Sequence, residues 1–130
     1  MFVDASALVA MLAPEDDGAL FASRLDSSRS ATTSPLAVFE TVLALRRLRE
    51  VASAEVLQVV LAFLDRSKVE VVGMEPGLYL PALRAHDLYG KGSGHPARLN
   101  MGDCFSYAMA KHAGVPLLYK GDDFAQTDLA

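Results

Sequence analysis

The sequence predicts an α/β fold, a central and mainly parallel twisted sheet flanked by helices, because short apolar runs alternate along the chain with longer stretches of helical periodicity. The strand candidates are Phe2 with Val3, Ala31 to Thr33, Val69 to Val72, and Val115 to Tyr119. Acids stand just past two of them, at Asp4 and Asp122, and in an open parallel sheet that edge is where ligands bind. At 130 residues the chain has the size of one ordinary domain, so residues 1–130 are read as a single unit.

Each element follows from local signals. Phe2 and Val3 end a buried strand that delivers Asp4, after which Ser6 is placed to cap a helix running to about Leu12. Pro14, Glu15, Asp16 and Asp17 form the acid-rich start of a second helix, with Leu20, Phe21 and Leu25 available for burial; the acids read as partners of its dipole. After the strand at Ala31, Ser34 and Pro35 start a third helix, a cap followed by proline at the first helical position. Between Leu36 and Leu45 that helix carries one charge, Glu40, on the face it shares with Leu36 and Leu43. A buried, unpaired carboxylate is costly, so Glu40 needs a cation, a hydrogen-bond network or a solvated cleft. An internal ion pair with Arg46 or Arg47 is the structural alternative.

Further helices are expected from Ser53 to about Arg66 and from Glu75 to about Tyr89, the second opened by Pro76. Residues 90 to 101 contain alternating glycines and the pair His95-Pro96, and read as a long loop of the kind that can move over a site. Asp103 then opens a helix ending at Gly114, a place where capping also accounts for an aspartate. Beyond the last strand, Lys120, Gly121, Asp122 and Asp123 form a turn.

Composition excludes several classes. With 52% hydrophobic residues and no fixed repeat, the chain is neither disordered, collagenous nor a solenoid. The lone Cys104 cannot form an internal disulfide, and no basic-then-apolar leader precedes Asp4, so a cytoplasmic protein is expected. Apolar runs such as Val59 to Leu64 are too short to span a bilayer. A net charge of −4 argues against a broadly nucleic-acid-adhesive surface, although a local positive rim would suffice for binding at a site. Basic residues cluster at Arg46, Arg47 and Arg49, and across Arg84, His86, Lys91, His95 and Arg98, positions equally readable as solvated faces.

Asp4, Glu40, Asp103 and Asp122 carry the functional signal. Carboxylates gathered in one pocket repel and raise one another's pKa unless a cation intervenes, and a hard ion such as Mg²⁺ selects oxygen ligands. The pattern suggests a metal-dependent phosphodiesterase, in which no histidine is needed as general base, so that His86, His95 and His112 read as surface, loop and helix residues. A Mg²⁺-dependent phosphatase is an alternative, but a phosphoenzyme expects a second acid where Ser6 stands. A receiver-like phosphoacceptor switch would use Lys120, but Ser53 to Arg66 reads as helix and offers no strand-end acceptor. A silent RNA-binding or antitoxin-binding module is a further alternative, against which the complete acid set counts.

Four segments in order, Phe-Val-Asp-Ala-Ser-Ala-Leu at 2 to 8, Glu40 on its apolar helix, Gly-Lys-Gly-Ser-Gly-His-Pro-Ala-Arg-Leu-Asn-Met-Gly-Asp-Cys-Phe at 90 to 105, and Leu-Tyr-Lys-Gly-Asp-Asp-Phe at 118 to 124, resemble the PIN-domain ribonucleases, specifically the VapC toxins of type II toxin-antitoxin pairs. The resemblance spans the chain. It implies a compact α/β sheet, a homodimer, an acidic pocket that binds Mg²⁺ or Mn²⁺ and cleaves RNA, and a cognate VapB-type antitoxin that blocks it. It makes Asp4 and Asp103 the principal metal ligands, Glu40 a further acid and Asp122 the fourth. Relatives place the fourth acid where this chain has Gly121, so Asp123 competes with Asp122. Ser6 and Asn100 resemble supporting residues that orient a carboxylate or a water, with capping or loop hydrogen bonding as the other reading.

Overall fold

A computed structural model of the chain describes residues 1–13, 15–48 and 50–130; the expected helix start at Pro14 and the Arg49 member of the first basic cluster lie outside the described residues. The strands are β1 (Phe2–Val3), β2 (Ala31–Thr33), β3 (Val69–Val71) and β4 (Leu117–Leu118), and the helices are α1 (Ala5–Leu12), α2 (Gly18–Asp26), α3 (Pro35–Leu48), α4 (Ser53–Arg66), α5 (Tyr79–Tyr89) and α6 (Met101–Ala113). A short 3₁₀ turn, Phe124–Gln126, follows β4.

The sheet runs β3-β2-β1-β4. All its pairings are parallel, with Phe2 opposite both Thr32 and Leu117. Strand order therefore grows outward from β1 to β3 and then reverses to β4, which puts the topological switch point between β1 and β4. The backbone N–H of Asp4 extends the ladder beyond β1 by donating to Leu118 O at 3.0 Å.

Alternation along the strands makes two apolar layers. Val3 and Leu118 face one cluster, built with α1, α2, α3 and α4, whereas their neighbours Phe2 and Leu117 face another, built with α5 and α6. The sheet is thus covered on both sides, as parallel sheets require.

Local capping departs from the sequence reading in four places. Asp4, not Ser6, caps α1, its side chain accepting from the backbone N–H of Ser6. Asn100, not Asp103, caps α6; Asp103 sits at the third helical residue and closes a reciprocal capping box with Asn100. α2 begins only at Gly18, with Asp17 at its N-cap position making no side-chain cap bond; the side chains of Glu15 and Asp17 meet Lys120. α5 begins at Tyr79, preceded by a turn over residues 75 to 78. Pro81 within its first turn has no N–H to donate, so regular bonding starts with Ala82 N–H to Leu78 O.

The loop before α6 is fastened and does not read as a lid. Lys91 N–H donates to Leu99 O at 2.8 Å, Leu99 N–H donates to Tyr89 O at 2.9 Å, and Ala97 and Leu99 are fully buried. His95 contributes through its Nδ1, which accepts from Ala97 N–H, and through an edge contact with Tyr89.

Candidate active site

β1 ends at Val3, so Asp4 emerges at the switch point, held almost wholly buried at 3% exposure. Its Oδ2 accepts two bonds from Ser6, one from the backbone N–H at 2.9 Å and one from the hydroxyl at 2.6 Å. The Ser6 hydroxyl oxygen in turn accepts from Lys120 N–H at 3.0 Å, just past β4. One serine therefore ties the end of β1 to the end of β4 while orienting the Asp4 carboxylate.

Glu40 enters from α3 and Asp103 from α6, two helices packed on one another. With Asp4 they line a cleft of about 670 Å³, whose walls also include Ser6, Asn100, Arg47 and Lys120. Glu40 makes no salt bridge among the described residues, so the ion pair with Arg46 or Arg47 is not the arrangement found. Arg46 instead donates through Nε to Val51 O. The Lys120 ammonium is shared by Glu15 and Asp17, the second at 3.0 Å; Glu15 lines the cleft, while Asp17 stands at the N-cap position of α2 without a side-chain cap bond.

The acids feel one another. Burial, then the charges of Asp4 and Asp103, raise the Glu40 carboxyl from 4.5 to about 7. Asp103 is raised from 3.8 to about 6 by burial and by the charges of Asp4 and Asp123, against the lowering effect of its bond from the Asn100 backbone. Protons are thus retained where an unperturbed carboxylate would have lost them.

Asp122 and Asp123 are exposed and stand outside the described lining of the cleft. The turn carrying Asp122 is made by Gly121 at φ 102°, and Asp123 leads into the 3₁₀ turn. Of the two, Asp123 is the acid whose charge reaches Asp103. Sequence reasoning did not single out Gly102, although a Cβ added there would overlap both carboxylate oxygens of Glu40. The legible signal was a glycine directly before a candidate ligand in the first turn of a helix.

Among the described residues no three His, Cys, Asp or Glu side chains close on a common point as a finished metal cage would. The donor set nevertheless fits a hard divalent cation, being all oxygen, mutually repelling and placed in an open cleft that leaves room for an ion's own waters.

A VapC ribonuclease of Rhizobium meliloti is 42% identical to the chain over 139 residues, covering 98% of each, and the family model for the PIN domain matches residues 1–129. This chain belongs to the VapC ribonucleases of the PIN-domain family. Ribonuclease VapC30 of Mycobacterium tuberculosis is 40% identical over 131 residues, covering 100% of this chain and 96% of the relative. Ribonuclease VapC42 of the same organism is 38% identical over 130 residues, covering 99% and 96%. Among solved structures, Mycobacterium tuberculosis VapC20, described as a Sarcin-Ricin loop cleaving toxin, superposes with a TM-score of 0.71 over 95% of this chain and 92% of that one, at 20% identity, which shows a shared fold. For this PIN-domain chain the receiver-like alternative fails physically as well, since Ser53–Arg66 is α4 and supplies no strand end for a phosphoacceptor.

The Ser6 bonds lead to a specific expectation. Ser6→Ala removes the hydroxyl that both orients Asp4 and accepts from Lys120; should Asp4 hold a divalent ion, the loss of such an outer partner is expected to lower its affinity roughly 10- to 100-fold. Titration calorimetry with Mn²⁺ measures this directly; an unchanged affinity would mean that Ser6 does no more than brace the strand ends.

Proposed function

We propose that the chain is a Mg²⁺-dependent endoribonuclease, the toxin of a type II toxin-antitoxin pair, with Mn²⁺ as a possible substitute. The observation that carries this is the meeting of Asp4, Glu40 and Asp103, from three separate elements, in one cleft beside the β1–β4 switch point. In this reading Asp4 and Asp103 are the principal ligands, and Glu40 acts directly or through water. The fourth acid comes from the turn after β4; electrostatic reach supports Asp123, while Asp122 rests on the sequence resemblance. A bound divalent ion would supply a polarised water as nucleophile and positive charge for the scissile phosphate and leaving oxygen.

The chain's own residues prepare that chemistry. Ser6 and Asn100 fix the carboxylates of Asp4 and Asp103 through hydrogen bonds at 2.6 to 3.0 Å. Arg47 places a cationic group in the cleft wall, where a phosphate backbone would meet charge without sequence being read, whereas the Lys120 ammonium is already held by Glu15 and Asp17. The relatives are named ribonucleases, which supports RNA as the substrate. A VapB-type antitoxin blocking the cleft, a homodimer, a cytoplasmic location and a single-domain chain complete the proposal. No helix of the described residues is long and apolar enough to cross a membrane.

Purified protein freed of any antitoxin is expected to cut RNA with Mg²⁺ or Mn²⁺ and to stop in excess EDTA, with recovery on adding metal back. Fragment-end sequencing then identifies the target. Cleavage at an undiminished rate in EDTA would end the metal reading, whereas strict metal dependence on a phosphomonoester and none on RNA would favour the phosphatase.

A further inference from the structure

We infer that Gly102 is a positioning residue of the site: by carrying no side chain, it leaves the space in which the Glu40 carboxylate lies against the first turn of α6. Glycine is a poor choice for a helix on intrinsic grounds, since alanine favours the same conformation more strongly. The backbone here does not ask for it either, because Gly102 is absent from the positive-φ positions, which include Gly92, Gly94, Gly114 and Gly121. What asks for it is the neighbour. A Cβ at 102 would overlap Oε1, Oε2 and Cδ of Glu40, whereas at Gly18 and Gly90 the overlaps are with an Ala10 carbonyl and with His86.

The turn cannot simply step back, because the reciprocal bonds between Asn100 and Asp103 fix it on either side of Gly102. Glu40 can, because the colliding group is the far end of a side chain with rotatable bonds. An added methyl group is therefore absorbed by swinging the carboxylate away from Asp103 and Asp4. The fold persists and the site loses its third acid. This inference rests on the proposed role of Glu40 in holding the ion, so the test separates the two.

The test compares full-length Gly102→Ala, Glu40→Ala, the double variant, and Gly102→Ala combined with Glu40→Asp. Without metal, Gly102→Ala is expected to melt no lower than the parent, while the carboxyl resonance of Glu40 in ¹³C-glutamate-labelled protein shifts. Mn²⁺ affinity by calorimetry and kcat on RNA are expected to fall by roughly tenfold or more, with KM little changed. Adding Gly102→Ala to Glu40→Ala should produce no further loss, since the partner of the clash is gone. Glu40→Asp, one methylene shorter, should recover part of the loss. An unmoved Glu40 resonance, parental Mn²⁺ affinity, or an equal loss in the Glu40→Ala background would each overturn the inference. If Glu40→Ala alone binds Mn²⁺ and cuts RNA like the parent, the metal role of Glu40 fails, and the apo resonance alone decides the claim about Gly102.

Discussion

Asp4→Asn is expected to reduce RNA cleavage by roughly 10³-fold, because in the proposed site a divalent ion held by Asp4 would supply several kcal/mol of charge stabilisation and each ~1.4 kcal/mol is a factor of ten. The fold should survive. Asparagine keeps a side-chain oxygen that can accept from Ser6 N–H, so the cap on α1 is retained. Removing one negative charge also relieves Glu40 and Asp103, both of which its charge disfavours in their ionised forms. The metal-free variant should therefore melt at or above the parental temperature near neutral pH. Asp103→Asn should behave alike in cleavage and, without metal near neutral pH, should melt no lower than the parent: an amide oxygen accepts the Asn100 N–H more weakly, but burial and the Asp4 charge outweigh that bond and already disfavour the ionised carboxylate. Single-turnover cleavage with melting curves on the same preparations checks both, and two variants cutting at the parental rate would remove these residues from the site.

Stability without metal should fall as pH rises, the reverse of the usual behaviour of carboxylates. Glu40 titrates at about 7 in the fold against 4.5 for the ordinary group, and Asp103 at about 6 against 3.8. Between those limits the folded chain holds protons that the unfolded chain has released, so the contribution is complete below about pH 4 and is lost through about pH 6 to 7. A divalent ion reverses the dependence, because its ligands must be ionised. Near pH 8, metal at about 100 times its Kd should stabilise by about 2.7 kcal/mol. Near pH 5 the same ion must displace the protons of Glu40 and Asp103, and its effect should shrink to a small fraction of that. Calorimetric melting in EDTA and in Mg²⁺ at the two pH values measures the difference. Equal shifts at both would show that these two acids do not meet the ion.

Much of the fold was legible because its signals are local. Ser34 and Pro35 announce α3 by cap and fixed φ, and Ser34 Oγ does accept from Ala37 N–H at 3.1 Å. The apolar pattern likewise placed α4 where it is. Errors clustered at helix starts, where several polar residues compete for the same orphan N–H groups. At α1, Asp4 took the role that Ser6 was expected to fill. At α6, Asn100 took the cap and Asp103 became the reciprocal member of the box while also lining the cleft. Pro81 shows the same limit, since a proline in a first turn and a proline before one look alike in sequence.

The sequence by itself determined the alternation of strands and helices, the face of α3 on which Glu40 sits, and the identities of the acids, because periodicity, capping and charge are properties of neighbours along the chain. Tertiary structure alone decided that β4 returns beside β1 so that Asp4, Glu40 and Asp103 share one cleft, that Lys120 is held by Glu15 and Asp17, and that Gly102 makes room for a carboxylate 62 positions earlier. Those are contacts between distant segments, set by which sheet edge the last strand joins and how α3 packs on α6, and no local preference encodes either.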